Sequence, residues 1–142
     1  MSSVFTRIIN GELPGRFVWK DDTAVAFLTT GPVAPGHVLV VPRDEVDLWT
    51  DLPEETVAHL MKVTQIIGKT QRNVFKSLRA GVMIAGFEVP HTHIHVWPSN
   101  NIRDFEQSSV NHNPEPADLD DAAEKLRAGL RDAGHGEFVP ES

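Results

Sequence analysis

The heptapeptide His91-Thr92-His93-Ile94-His95-Val96-Trp97 holds three of the chain's seven histidines at alternate positions. Ile94, Val96 and Trp97 are strand-prone, and successive side chains of a strand point to opposite faces of its sheet. A strand over residues 91–97 therefore sets the three imidazoles on one face and Thr92, Ile94 and Val96 on the other. Imidazoles that merely filled a sheet face would each need a hydrogen-bond partner of their own. The pattern points to chemistry instead.

Two chemistries compete for such a face. The first and third histidines of one regular strand stand roughly 13 Å apart at ~3.3 Å per residue. Zinc–nitrogen bonds span only about 2.0–2.1 Å, so the strand alone does not close three imidazoles around one ion. Two of them together with His37 could do so, but no Asp or Glu nearby offers itself as a fourth ligand. Phosphate chemistry needs less convergence. A neutral imidazole is a competent nucleophile towards phosphorus, giving a phospho-imidazole that water hydrolyses. Flanking imidazoles can donate to phosphate oxygens and orient the attacking ring.

Outward from this segment the chain reads as α+β. Residues 4–10 read as a short helix with Phe5, Ile8 and Ile9 inward, stopped by Gly11 and Pro14. Residues 16–20 and 24–28 read as a hairpin turning at Asp21-Asp22-Thr23. A loop rich in Gly and Pro, residues 31–36, leads into the apolar run 37–41, which suits a buried central strand. Asp51 and Glu54 fit a capping box opening a helix to about Lys76, with Val57, Leu60, Met61, Thr64, Ile67 and Val74 inward. Residues 82–84 form another strand, and Pro98 ends the strand that begins at His91. A stretch with turn signals, residues 99–116, precedes a helix over 118–133 with Leu119, Ala122, Ala123, Leu126 and Leu130 on one face. The expected architecture is a mainly antiparallel sheet with helices on one face.

Composition narrows the partners. The 142 residues suit one main core, and 40% apolar with 23% charged residues is ordinary for a globular domain. No apolar run nears the 18 residues of a membrane span, and residues 1–10 lack the core of a signal peptide, so a cytoplasmic protein is expected. The absence of Cys removes disulfides, thiolate zinc sites and a cysteine nucleophile. A net charge of −7 argues against a nucleic-acid polymer as partner. A small phosphate ligand is compatible with it, because distant charges are screened within about 8–10 Å.

His91 to Trp97 resembles the signature of the histidine-triad (HIT) family: His, any, His, any, His and two apolar residues. Residues 5–14, Asp21-Asp22 before Ala26-Phe27, and Pro35-Gly36-His37-Val38-Leu39-Val40-Val41-Pro42 resemble the family's opening and its central strand, in family order. The chain is similar to the Hint and Fhit branches. That resemblance implies hydrolysis of nucleoside phosphoramidates or dinucleoside polyphosphates through a covalent nucleotidyl-histidine, in a homodimer, with no cofactor or metal in the reaction. It implies a HIT domain over residues 1–100 and, over 101–142, an extension of loop and helix packed on that domain. His93 would be the nucleophile. His91 and His95 would orient it and contact phosphate and leaving group, and His37 would support the triad from the next strand. The related uridylyltransferase branch has Gln in third place, so His95 favours hydrolysis. Phe5, Ile8 and Phe27 match apolar positions that sandwich the base.

The chain departs from the family in three places. Thr29 stands where Asp or Asn often binds the ribose hydroxyls. The loop 85–90 before the triad is short, and Glu88 replaces a common Ser or Thr; a carboxylate there repels phosphate unless it faces away or receives a cationic leaving group. Zinc-binding members carry Cys, Cys and His where this chain has Ser3, Thr6 and Glu45, so their structural zinc is not expected. Thr29, the short loop and Glu88 also motivate a nucleotide-binding regulatory module with weak turnover. A metal protein using His37 with two triad members is the third reading. Gly68-Lys69-Thr70 imitates a phosphate loop but lies mid-helix. His59, His112 and His135 read as isolated.

Overall fold

A computed structural model describes residues 2–142. Five antiparallel strands, β1 (Phe17–Lys20), β2 (Ala24–Leu28), β3 (Val38–Pro42), β4 (Arg79–Met83) and β5 (Ile94–Ser99), form one sheet in the order β1-β2-β3-β5-β4. Three α-helices accompany them: α1 (Val4–Ile9), α2 (Glu54–Phe75) and α3 (Pro116–Asp132). This is the expected α+β architecture. Period-2 alternation gives the sheet two apolar faces. Ala24, Ala26, Leu28, Val38, Val40, Ile94 and Val96 join the larger core with α2 and α3 residues. Val25, Phe27, Leu39 and Val41 join a second cluster with Phe5 of α1. Helices were expected on one face only; α1 instead covers part of the other, the face that carries His95.

Several boundaries move for identifiable reasons. Asp51 does not cap α2; it lies in a 3-10 turn (Trp49–Asp51), and Pro53 occupies the cap position without a side-chain bond. A residue before proline is driven to extended backbone, so Leu52 at ψ 149° interrupts the helix signal. Val63 is buried where Met61 was expected, and Met61 is exposed. The cause is that α2 packs on α3 as well as on the sheet, which displaces its buried arc towards Val63 and Thr70.

The triad strand begins later than its alternation suggests. His91, Thr92 and His93 precede β5, because Thr92 turns aside to donate its N–H and its hydroxyl to Val46 O at 2.8 and 2.9 Å. At its far end β5 continues through Pro98 to Ser99. Its pairing with β3 has ended at Val38↔Val96, so the missing N–H of Pro98 breaks no bond on that side.

Candidate active site

A cavity of about 960 Å³ opens on the α1 face of the sheet. Of the site residues expected from sequence, Phe5, Ile8, Phe27, Thr29, His37, Glu88, His93 and His95 all line it. His91 does not. Its ring is fully buried behind His93, between Ser3 Oγ (2.7 Å from Nδ1) and Pro42 O (2.8 Å from Nε2). His91 still lies on the α1 side with the other two, its ring 5.8 Å from that of Phe5, but only His93 and His95, whose ring centroids are 5.1 Å apart, reach the cavity.

Hydrogen-bond polarity fixes the tautomers. A carbonyl only accepts, so His93 Nδ1 donates to His91 O at 2.7 Å, and in the neutral ring the lone pair resides on Nε2. Val33 N–H donates to His37 Nδ1 at 3.1 Å, which leaves the His37 proton on Nε2. That proton is donated to His95 Nδ1 at 3.0 Å, so His95 carries its own on Nε2. The wall thus presents an unprotonated nitrogen on His93 beside an N–H donor on His95. Charge states agree: burial, and then the neighbouring His95, lowers the His37 pKa to about 3. Burial followed by the proximity of His93 lowers that of His95 to about 4. Both rings are neutral at physiological pH. The His37 and His95 nitrogens face each other across a hydrogen bond, which occupies lone pairs that a shared ion would need.

Around this pair, the Phe5 ring meets His93 edge-on at 4.8 Å and Phe27 at 5.7 Å. Thr29 Oγ1 accepts from Gly31 N–H at 3.1 Å. Trp97 lies 5.3 Å from His37, and Gly81 makes room for it: a Cβ there would stand 2.6 Å from the indole ring. Sequence reasoning missed the wall opposite, made by Asp104, Phe105, Glu106, Gln107, Val110 and His112. No local signal announces that wall, because a segment without periodicity shows only in three dimensions what it covers. His112 lies exposed at the edge of this wall, whereas His59 is not isolated: its Nε2 lies 2.6 Å from Asp21 Oδ2.

The HIT domain model matches residues 10–102. The chain belongs to the HIT family. Adenosine 5'-monophosphoramidase hnt1 of Schizosaccharomyces pombe is 32% identical over 105 residues, covering 71% of this chain and 77% of that protein. Adenylylsulfatase HINT3 of Arabidopsis thaliana is 29% identical over 133 residues, covering 90% of this chain and 67% of that one. Among solved structures, a Zn-bound histidine triad family protein from Mycobacterium smegmatis superposes with a TM-score of 0.79 at 29% identity, covering 94% and 96% of the two chains.

That zinc-bound HIT relative makes the fit of Ser3, Thr6, Glu45 and His91 to a metal worth testing. The four do converge, but as a hydrogen-bonded knot. Glu45 accepts from Ser3 N–H at 2.6 Å and from the Thr6 hydroxyl at 2.7 Å. Ser3 Oγ accepts from Thr6 N–H at 3.0 Å and donates to His91 Nδ1 at 2.7 Å. Ligands of a tetrahedral zinc with bonds of about 2.0–2.2 Å stand roughly 3.4 Å apart, and thiolate or imidazole is the usual donor. Two neutral hydroxyls at hydrogen-bond distance do not fit that ion. The knot instead ties α1 to the first triad histidine, and its donations hold the Glu45 carboxyl below the usual carboxylate range.

Proposed function

We propose that this HIT protein hydrolyses a nucleotide-like phosphoramidate or dinucleoside polyphosphate through a covalent intermediate on His93. The observation that carries the reading is the 2.7 Å bond from His93 Nδ1 to His91 O, which leaves the Nε2 lone pair at the cavity beside the N–H of His95. In the first step Nε2 attacks phosphorus, the bond to the leaving group breaks, and its electron pair departs with that group. His95 Nε2–H donates a hydrogen bond to the negative charge that develops. The leaving group takes up a proton as it departs. Water then attacks the phospho-imidazole and gives up a proton in turn, so that none is gained or lost overall. The N–P bond returns its electrons to His93, and a phosphate monoester is released. Phe5, Ile8 and Phe27 are the proposed apolar slot for the base, and Thr29 the proposed contact to the ribose. The phosphoramidase and adenylylsulfatase activities in the names of two relatives support a nucleotide hydrolase.

The test is His93→Ala or His93→Asn, assayed on adenosine and guanosine phosphoramidates and dinucleotides. Turnover should fall by orders of magnitude, each tenfold loss being about 1.4 kcal/mol of barrier, while ligand binding is largely kept. Rapidly quenched native protein should carry the adduct on the peptide containing His93. Near-normal turnover in the variant would remove the covalent mechanism. Tight binding with no turnover by the native protein would favour a regulatory module.

A further inference from the structure

Gln71, on the inner side of α2, is fully buried. Its side-chain amide donates to Gly36 O and to Val96 O, both at 2.9 Å. Gly36 immediately precedes His37, and Val96 immediately follows His95. One carboxamide therefore spans the backbones on either side of the 3.0 Å His37–His95 hydrogen bond.

The orientation of this amide is forced, because both partners are carbonyl oxygens and only its NH2 can serve them. Gln71 Oε1 is consequently left without a hydrogen-bond partner among the described residues. A buried acceptor in that condition bears its full desolvation cost, which an apolar side chain of equal volume would avoid. What the amide supplies in return is a fixed separation of two carbonyls. Backbone bonds from His37 N–H to Ala34 O and from Thr29 N–H to His37 O, both 3.2 Å, also hold this loop, and Gln71 adds a side-chain bond to the carbonyl just before His37. Gly36 sits at φ +86°, and a Cβ there would run into the Phe75 ring, so no side chain of its own can secure it.

We propose that Gln71 is a positioning residue, clamping the backbones that flank His37 and His95 so that His95 keeps its Nε2–H turned to the reacting phosphate group, a role that rests on the hydrolase reading above. A hydrogen bond weakens steeply with lengthening and misalignment. Once the clamp is released, the His37 donor no longer dictates which nitrogen of His95 is protonated. The loss falls hardest on reactions whose leaving atom carries most negative charge, since those depend most on the His95 donor.

The test uses aryl esters of a nucleoside 5'-monophosphate, graded in the acidity of the phenol released. Gln71→Met keeps the volume and removes both donors. Its kcat should fall roughly tenfold or more on the ester of the least acidic phenol, a fraction of what a positioned proton donor supplies. On the p-nitrophenyl ester it should fall less than about twofold, giving a steeper dependence on leaving-group acidity with KM little changed. Thr64→Val, which deletes an equally buried α2 hydrogen bond to Leu60 O, should leave the dependence as in the native protein. Parallel dependences in Gln71→Met and native protein would overturn the proposal. Histidine 15N spectra of the native protein read the clamp without turnover and without a variant. They should show His37 and His95 protonated at Nε2 and both Gln71 amide protons slow to exchange. Fast exchange, or His95 protonated at Nδ1, would overturn the clamp; native protein that turns over none of the esters would instead defeat the hydrolase reading.

Discussion

Replacing Ser3 by Ala should destabilise the protein far more than its place near the chain start suggests. Ser3 is buried, and its hydroxyl performs two functions at once: it caps α1 through Thr6 N–H and supplies the partner of His91 Nδ1 at 2.7 Å. Loss of an N-cap costs about 1 kcal/mol, and a buried ring nitrogen left unpaired about 1–3 kcal/mol more. Thr6 Oγ1 lies 3.5 Å from the same nitrogen and offsets only part of this. The expected loss is about 2–4 kcal/mol. In a domain of this size each kcal/mol lowers Tm by about 3–4 °C, so a fall of roughly 6–15 °C is expected. Ser3→Thr, which keeps a hydroxyl, should recover most of it. Thermal unfolding followed by circular dichroism measures the change, and the His91 ring resonances report whether Nδ1 has lost its partner. A Ser3→Ala protein melting within about 2 °C of the native one would refute the reasoning.

Stability should also fall in mild acid. The folded-state pKa values of His37 and His95, about 3 and about 4, lie below the 6.5 of an unburied imidazole. As pH drops from about 6.5 towards 4 the unfolded chain binds protons that the folded chain refuses, at up to about 1.4 kcal/mol per pH unit for each group. A Tm that stays flat from pH 7 to pH 5 would contradict this. Thr29→Asp should raise affinity for ribonucleotides over ligands lacking the ribose hydroxyls, each hydrogen bond to a charged acceptor being worth about 1.5–3 kcal/mol; equal affinities by calorimetry would show that residue 29 does not face the ribose. A homodimer is expected from the family resemblance and the amphipathic segment 51–76, and the exposed Val82 and Met83 of the outer strand β4 are a further apolar patch for it to cover. A monomer mass by sedimentation at high micromolar concentration would refute that.

The elements that sequence located well are those governed by local periodicity. The alternation of Ala24 to Leu28 and of Val38 to Val41 divides these residues between the two sheet faces, and Leu119, Ala122, Ala123, Leu126 and Leu130 all lie buried along α3. Where a tertiary partner competes, local reading fails. Thr92 leaves the expected strand for Val46, and Asp51 loses its cap position to Pro53. Gln71 drew no reading from sequence, because nothing local shows that the carbonyls of Gly36 in the loop and Val96 in β5 lie beneath it. The wall formed by residues 104–112 has no periodicity at all.

The roles of the four central histidines show the same division more sharply. Alternate spacing predicted one face for the three triad imidazoles, but spacing says nothing about which nitrogen carries a proton. That follows from partners distant in sequence or hidden in the backbone: Val33 N–H sets His37, His37 sets His95, and the carbonyl of His91 sets His93. His91 in turn is set by Pro42 O and by a serine 88 residues away. The His91 side chain does not line the cavity; its carbonyl meets His93 Nδ1, and its ring is tied to α1 through Ser3. A His95 ring kept neutral by burial presents an uncharged donor, in a cavity whose one Arg among the described residues, Arg16, is already paired with Asp120 at 2.7 Å.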